Sequence, residues 1–331
     1  MNGAAQQGQK QSAKPSQEPG RKRSGRRGQH VHLVHPGDAY LPELQAYGLH
    51  LQSLGHEAYI HTNAADVPLQ ADVVWWFCGR VDRQQARRLQ RSRQVHEYAS
   101  ASVGRWPALK DTVKRLLHPR PDHRIFQSDW VRQRMGFDDG VPFSLRDMGV
   151  PDSFVQARRS TEPDVDLVYL GEMRRLAGFV PTLRAIGDAG LRLLLVGQVP
   201  EDLQPVLTEV PGVVLSGRVP QQEVPAQLLR ARAGLNLMPA VQPLSEQTST
   251  KVLEYLAVGL PVVSNPYPWI ERCALQHPGR VFTLSGHTKP IKWQVLDRQL
   301  PELDAGRRHW HGQTWAQLLP SLPVWQALEL A

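Results

Sequence analysis

Apolar and polar positions alternate along this chain in two rhythms. Short apolar, β-rich runs at residues 31–34, 58–61 and 72–77 are interrupted by a helical pattern over 42–54. Strand, helix and strand at this spacing predict parallel pairing through right-handed crossovers. The same alternation returns in the second half, with strands expected at 166–170, 192–196, 213–216, 235–238, 261–264 and 281–284 and glycine or proline at most junctions. Six strands in that order predict a second doubly wound sheet, with ligands at the carboxyl ends of its strands. The polar run from Arg158 to Pro163 reads as the linker. Beyond 286 the β signal stops, and Trp293, Trp310, Trp315 and Trp325 sit in a helical tail that must find apolar surface to cover. The organisation expected is a polar tail (1–28), one α/β domain (29–158), a second (159–286) and a helical segment (287–331) packing back across them.

Composition narrows the class. The 331 residues, 41% hydrophobic and 21% charged, suffice for two domains of about 150 residues. Cys78 and Cys273, the two cysteines, lack partners at metal-ligand spacing, so neither a disulfide scaffold nor a structural zinc site is expected, and reducing cytoplasm is the default compartment. The apolar runs fall far short of the ~20 residues that cross a bilayer. Arg26-Arg27 has the letters of a twin-arginine export signal, but no apolar segment follows it.

The net charge of +8 is unevenly spread. Residues 1–28 carry seven basic side chains against Glu18, and their composition predicts disorder. Residues 80–134 carry fourteen basic against five acidic side chains, and the rest of the chain is mildly acidic. Arg80, Arg83, Arg87 and Arg91 recur at helical spacing beside Arg88, which predicts one cationic helix face; Lys110, Lys114, Arg115, Arg120 and Arg124 extend it. That zone fits an anionic ligand or the surface of an anionic membrane, and it equally fits a solubilising arginine face. A basic tail alone supports only salt-sensitive, non-specific contacts with nucleic acid, so no specific nucleic-acid partner is expected.

The chemistry concentrates between Ser245 and Ser264. Thr248, Ser249 and Thr250 form a hydroxyl cluster at a helix start, Lys251 lies in the first turn and Glu254 one turn on, Gly259 closes the helix and Pro261 opens a strand. Such a helix start suits a pyrophosphate, to which Lys251 adds a full charge. Glu254 can accept hydrogen bonds from a ribose diol, and Glu246 can reach the group beyond the phosphates.

Glu246 and Glu254, followed by Tyr-Leu-Ala-Val-Gly-Leu-Pro-Val-Val, resemble the paired-glutamate signature of the group 1 (family 4) retaining glycosyltransferases of GT-B fold. Upstream, Asp166 to Glu172, Leu194 to Gly197, Val214 to Val219 and Leu235 to Pro239 are similar to that family in the same order, over about residues 160–286. The resemblance implies an α/β GT-B fold: two Rossmann-like domains facing a central cleft. It implies a nucleotide sugar as donor substrate, no cofactor, no metal, and transfer with retention to a glycan or lipid-linked acceptor. Glu254 then binds the ribose, Glu246 lies beside the transferred sugar, Lys251 and Thr250 meet the diphosphate, and Gly217, Arg218 and Val219 meet the base.

The family's Arg and Lys after the first strand of this domain are replaced here by Glu172 and Ala177, leaving Arg174 or Arg175 to take that role with Lys251. His96 resembles a family histidine near donor and acceptor; a histidine satisfied by a backbone partner at a strand end is the other reading. The loop with Gly37 and Tyr40 stands where the family's acceptor loop lies. Asp164-Val165-Asp166 has the letters of a metal motif but lies at the linker and reads as a solvated strand start. Two alternatives stay open: a nucleotide-sugar hydrolase or epimerase of the same fold, and a catalytically degenerate binding protein.

Overall fold

The computed structural model describes residues 27–35, 37, 41–284 and 310–331. Two parallel six-stranded sheets organise it. The first contains β1 (His30–Val34), β2 (Glu57–His61), β3 (Val73–Trp76), β4 (Arg93–Tyr98), β5 (His123–Phe126) and β6 (Phe143–Leu145), in the order β2-β1-β3-β4-β5-β6. The second contains β7 (Val165–Leu170), β8 (Leu193–Val196), β9 (Val213–Gly217), β10 (Ala231–Asn236), β11 (Val262–Ser264) and β12 (Val281–Thr283), in the order β12-β11-β10-β7-β8-β9. This is the α/β fold that the pattern predicted. In the second sheet the order reverses between β7 and β10, which opens a crevice at their carboxyl ends.

The helices of the first half are α1 (Pro42–Ser53), α2 (Arg83–Arg88), α3 (Pro107–Leu117) and α4 (Asp129–Met135). They are followed by α5 (Asp152–Gln156), α6 (Val180–Asp188), α7 (Gln204–Thr208), α8 (Val224–Leu228), α9 (Thr250–Val258) and α10 (Pro268–Gln276). Near the end of the chain come α11 (Trp315–Leu318) and α12 (Val324–Ala327). Both faces of the second sheet are buried, as all-parallel sheets require. Val168, Leu194 and Val196 face the cluster that includes α8 and α9, while Leu167, Tyr169, Leu193 and Leu195 face the one that includes α6 and α7. No described helix is long and apolar enough to cross a membrane.

Four features depart from the sequence pattern. First, β4 and β5 form although they carry Arg93, His96, Glu97, His123 and Arg124, because the charges buried in them are paired. Arg124 makes a two-pronged contact with Asp139 (2.5 and 2.6 Å). Second, β10 starts at Ala231, earlier than the expected 235, since its small residues lie beneath α9. Third, the cationic helix is short: Asp82 caps it by accepting from the Gln84 and Gln85 amides (2.9 and 3.0 Å), and it ends at Leu89 as the chain turns into β4. Arg80 and Arg91 fall outside it, and Arg88 folds back onto the carbonyls of Ala64 and Val67 (3.2 and 2.7 Å), so the four arginines do not share one helix face. Fourth, Val150 and Phe154 join the core of the second domain, ahead of the boundary expected at 158, because α5 packs against α9.

The segment from Trp315 onward returns to the first sheet. Trp315, Leu318, Leu322, Trp325 and Leu328 pack with Tyr47, Trp75 and Phe77, and the Trp325 ring lies 5.5 Å from that of Trp75. Trp310 packs at the edge of the second core, and Trp293 lies outside the described residues. Beneath the returning segment sits Arg146, fully buried, its guanidinium bonded to Glu97, 3.8 Å from Glu43 and 5.3 Å from the Trp315 ring. Glu97 also accepts from Trp75 Nε1 (2.8 Å) and the Tyr47 hydroxyl (3.2 Å). Burial raises the Glu43 carboxyl above its ordinary range, against the pull of Arg146.

Removing Arg146 strands buried carboxylates without their cation. Arg146→Met is expected to destabilise the protein by about 3–5 kcal/mol in urea unfolding. Adding Glu97→Gln, whose amide still accepts from Trp75, is expected to recover part of that loss.

Candidate functional site

The carboxyl ends of β7, β8, β9 and β10 and the amino end of α9 enclose a cavity of about 820 Å³. Two glycines let its floor close up. Gly171 (φ +144°) and Gly197 (φ +148°) follow β7 and β8, and a Cβ on Gly197 would come 2.8 Å from the Gly171 carbonyl oxygen. Side chains there would fill the space in front of α9.

Tyr255 fixes where α9 points. Its ring lies flat on Gly234 of β10, where a Cβ would approach Cγ to 2.3 Å. Its hydroxyl accepts from the Leu170 amide at the end of β7 (2.8 Å) and donates to the Leu235 carbonyl in β10 (3.2 Å). One phenol thus ties the helix to both strands at the reversal of strand order. The loop before α9 is held by a buried network: Ser249 Oγ donates to Asn236 Oδ1 (3.1 Å), and Asn236 Nδ2 donates to Ser264 Oγ (2.8 Å) and the Tyr267 hydroxyl (3.0 Å).

The expected hydroxyl cap is absent. No side chain caps α9, because Ser249 is committed to Asn236 and Thr248 donates across the cleft to Asp147 Oδ1 (2.5 Å), just after β6 of the first domain. Uncapped first-turn amides and the positive end of the helix therefore face the cavity. Lys251 projects into it, its Nζ 3.9 Å from Glu254 Oε2. Glu254 is only 6% exposed, and its Oε2 has no hydrogen-bond partner among the described residues. Burial raises its carboxyl above the ordinary range, and Lys251 only partly opposes this. A buried oxygen without a donor is costly by itself and is suited to a ligand that brings one.

Lys251, Glu254, Thr250, Arg175, Arg218 and Val219 share this cavity, with Gly217 directly before it at the end of β9. Arg175 has no carboxylate within ion-pair distance among the described residues; its guanidinium approaches Met238 Sδ (4.0 Å) and lies near enough to Tyr169 and Tyr267 for its charge to act on them. Arg174 points elsewhere, to Asp202 on the surface (3.2 Å). Glu172 accepts from the Arg174 amide (3.1 Å) and so holds the turn that presents Arg175.

Other candidates lie apart. Glu246 is paired with Arg272 of α10 (3.0 Å) and does not line the cavity, although Leu244 and Gln247 beside it do. His96 is fully buried in β4, 6.0 Å from the His118 ring, with neither ring nitrogen bonded among the described residues. Burial, then His118 and Arg124, hold it well below the usual histidine range, and it lines no part of the cavity. The Gly37 amide donates to His35 Nδ1 (3.2 Å), and Tyr40 lies outside the described residues. Sequence reasoning missed Asp147, Arg272 and Asn236 as determinants of the site. Only Asn236 stood in a recognisable string, and the partners of all three come from distant segments.

The raised Glu254 carboxyl has a stability consequence. Between the ordinary carboxylate pKa and the raised folded value the unfolded chain binds fewer protons, so stability falls as pH rises through that window. Glu254→Gln is expected to unfold at a higher temperature than the parent at pH 7, with the difference shrinking as pH is lowered toward ~4. A difference that grows on acidification contradicts this.

The family model of group 1 glycosyl transferases matches residues 165–281, the segment that builds the cavity. A search of curated proteins finds no match. Among solved structures, the chain is similar to AviGT4, a glycosyltransferase involved in avilamycin A biosynthesis, at 17% identity and TM-score 0.61, covering 91% of this chain and 97% of that one. It is similar to a glycosyltransferase from Rickettsia africae at 10% identity and TM-score 0.67, covering 92% and 99%. It is also similar to Anabaena HepE, solved in complex with UDP and glucose, at 10% identity and TM-score 0.58, covering 85% and 92%. Residues 165–281 are thus similar to the group 1 glycosyl transferases, and the two domains together have the GT-B fold seen in these glycosyltransferase structures.

Proposed function

We propose that the protein moves a sugar from a nucleotide-diphosphate donor to an anionic glycan or lipid-linked acceptor, with retention of anomeric configuration and without a metal. The observation that carries the donor reading is Glu254: a buried carboxylate with an unsatisfied oxygen, beside Lys251, at the uncapped start of α9. Glu254 accepts the ribose diol. The α9 amides, Lys251 and Arg175 surround the diphosphate with positive charge, which supports departure of the leaving group without further Lewis acid. The strand end at Gly217 to Val219 receives the base.

In a same-face displacement the diphosphate leaves on the side from which the acceptor attacks, so the protein mainly holds geometry and stabilises charge. Lys251 and Arg175 are then the catalytic groups. Glu246, locked by Arg272 behind the cavity wall, shapes the sugar end of the site. Asp147, through Thr248, couples the first domain to the donor loop. The engagement of Glu246 with Arg272 and the burial of His96 favour a second reading, in which the donor binds but no transfer follows.

A panel of nucleoside diphosphates and nucleotide sugars in thermal-shift measurements separates these readings. A matching ligand at about 100 times its Kd adds about 2.7 kcal/mol of stability, and Glu254→Gln abolishes the shift. Lys251→Ala is expected to lower kcat by roughly 10²-fold or more in acceptor-dependent transfer. Product formed without acceptor supports hydrolysis or epimerisation. A nucleotide shift with no turnover supports the binding protein, and no shift from any nucleotide removes both enzyme readings.

Thr248→Val breaks the cross-cleft hydrogen bond without touching the cavity cations. A rise in donor KM with folded stability unchanged is the expected outcome, and an unchanged KM would separate Asp147 from donor binding.

A further inference from the structure

Helix α3 is polarised the wrong way for a helix on a soluble protein. Its one buried side chain is Asp111, whose Oδ1 accepts from the Ser102 amide (3.0 Å) and whose Oδ2 lies 3.8 Å from Arg134 Nε of α4. Its apolar side chains, Leu109, Val113, Leu116 and Leu117, together with Trp106 just before it, are 42–73% exposed. At about 100° per residue these five form one stripe lying roughly opposite Asp111, so the apolar face points straight away from the protein.

Charge and backbone add to the pattern. Arg105, Lys110 and Lys114 border the stripe, Arg115 turns the other way with its guanidinium against Gly136 after α4, and the only acid of the helix is the buried Asp111. The Arg105 guanidinium stands over the Trp106 ring at 5.7 Å. Arg83 of α2 lies near enough to His118, at the end of α3, for its charge to act on that ring. Trp106 itself is held at φ +58°, a left-handed conformation that bulky residues rarely adopt, at the point where the chain turns into the helix.

We propose that α3 is a docking helix that lies in the surface of an anionic lipid bilayer, with the stripe from Trp106 to Leu117 in the headgroup boundary and the flanking Arg105, Lys110 and Lys114 on the lipid phosphates. Eleven residues span about 16 Å, enough to lie in the interface and far too short to cross it. An outward apolar stripe bordered by cations is the composition such helices require. The placement also fits, because α3 follows the loop leaving the carboxyl end of β4, the edge at which parallel sheets take their ligands. This rests on the proposed transfer to an anionic or lipid-linked acceptor and deepens it: the acceptor is met at a lipid surface.

The test is co-flotation of the full chain with vesicles of phosphatidylcholine alone and of phosphatidylcholine with phosphatidylglycerol. The protein is expected to float with the anionic vesicles only, less so as salt rises. Leu109→Gln with Leu116→Gln, and separately Lys110→Glu with Lys114→Glu, are each expected to lower vesicle partitioning about tenfold or more. Unchanged melting temperature and nucleotide response in both pairs establish that they fold. The proposal is overturned by no flotation, by flotation indifferent to lipid charge, or by flotation that survives both pairs, as binding through the basic residues 1–28 alone would. A stripe pair that converts a dimer to a monomer in sedimentation while leaving flotation unchanged also overturns it, assigning the stripe to a second copy of the chain. Flotation without any nucleotide response removes the glycosyl-transfer reading and leaves α3 standing; a nucleotide response without flotation does the reverse.

Discussion

The site depends on how Tyr255 seats α9. A phenol ring needs a flat surface to lie on, and Gly234 provides it in the middle of β10. The hydroxyl at the far end of that ring takes the Leu170 amide, which lies where the chain leaves the sheet after β7, and gives its proton to the Leu235 carbonyl. Both partners are backbone groups at the reversal of strand order, which need a hydrogen-bond partner there. The axis of α9 is thereby set relative to two strands at once. The positions of Lys251 and Glu254, on the first turn and a half, follow from it. A helix free to slide by a residue would turn Glu254 out of the cavity and lose the geometry that makes an uncapped start useful.

Buried charge is handled differently in the two domains. Around Arg146 the first domain closes its charges on themselves: Glu97 meets a guanidinium, an indole and a phenol, and the returning C-terminal segment seals the cluster with Trp315. The second domain leaves its charges open, with Glu254 lacking a donor and Arg175 lacking a carboxylate among the described residues. The first arrangement rigidifies, and the second carries a stability cost that a bound ligand would relieve. A short hydrogen bond from Thr248 to Asp147, the residue directly after Arg146, links the domains, so the rigid cluster of one domain reaches the ligand loop of the other.

The second sheet was legible because its strands are apolar on both faces and its turns are marked by glycine and proline. The run from Ser245 to Ser264 was legible because helix start, helix stop and strand follow one another within twenty residues. In the first sheet, β4 and β5 were hidden by charged residues whose partners, Arg146 and Asp139, come from later in the chain. The arginine helix differs for a local reason: the spacing from Arg80 to Arg91 suggests about three turns, and Asp82 and Leu89 allow fewer than two.

By itself, the sequence determined the class of fold, the location of the donor-side loop and the pairing of a lysine with a glutamate one turn later, because these follow from periodicity and local backbone chemistry. Tertiary structure decided what those residues do. It separated Arg175 from Arg174, drew Glu246 to Arg272, buried His96 away from the cavity and left the α3 stripe facing outward. Each of these depends on which distant side chain arrives to satisfy a charge or cover an apolar face, and spacing along one chain does not contain that information.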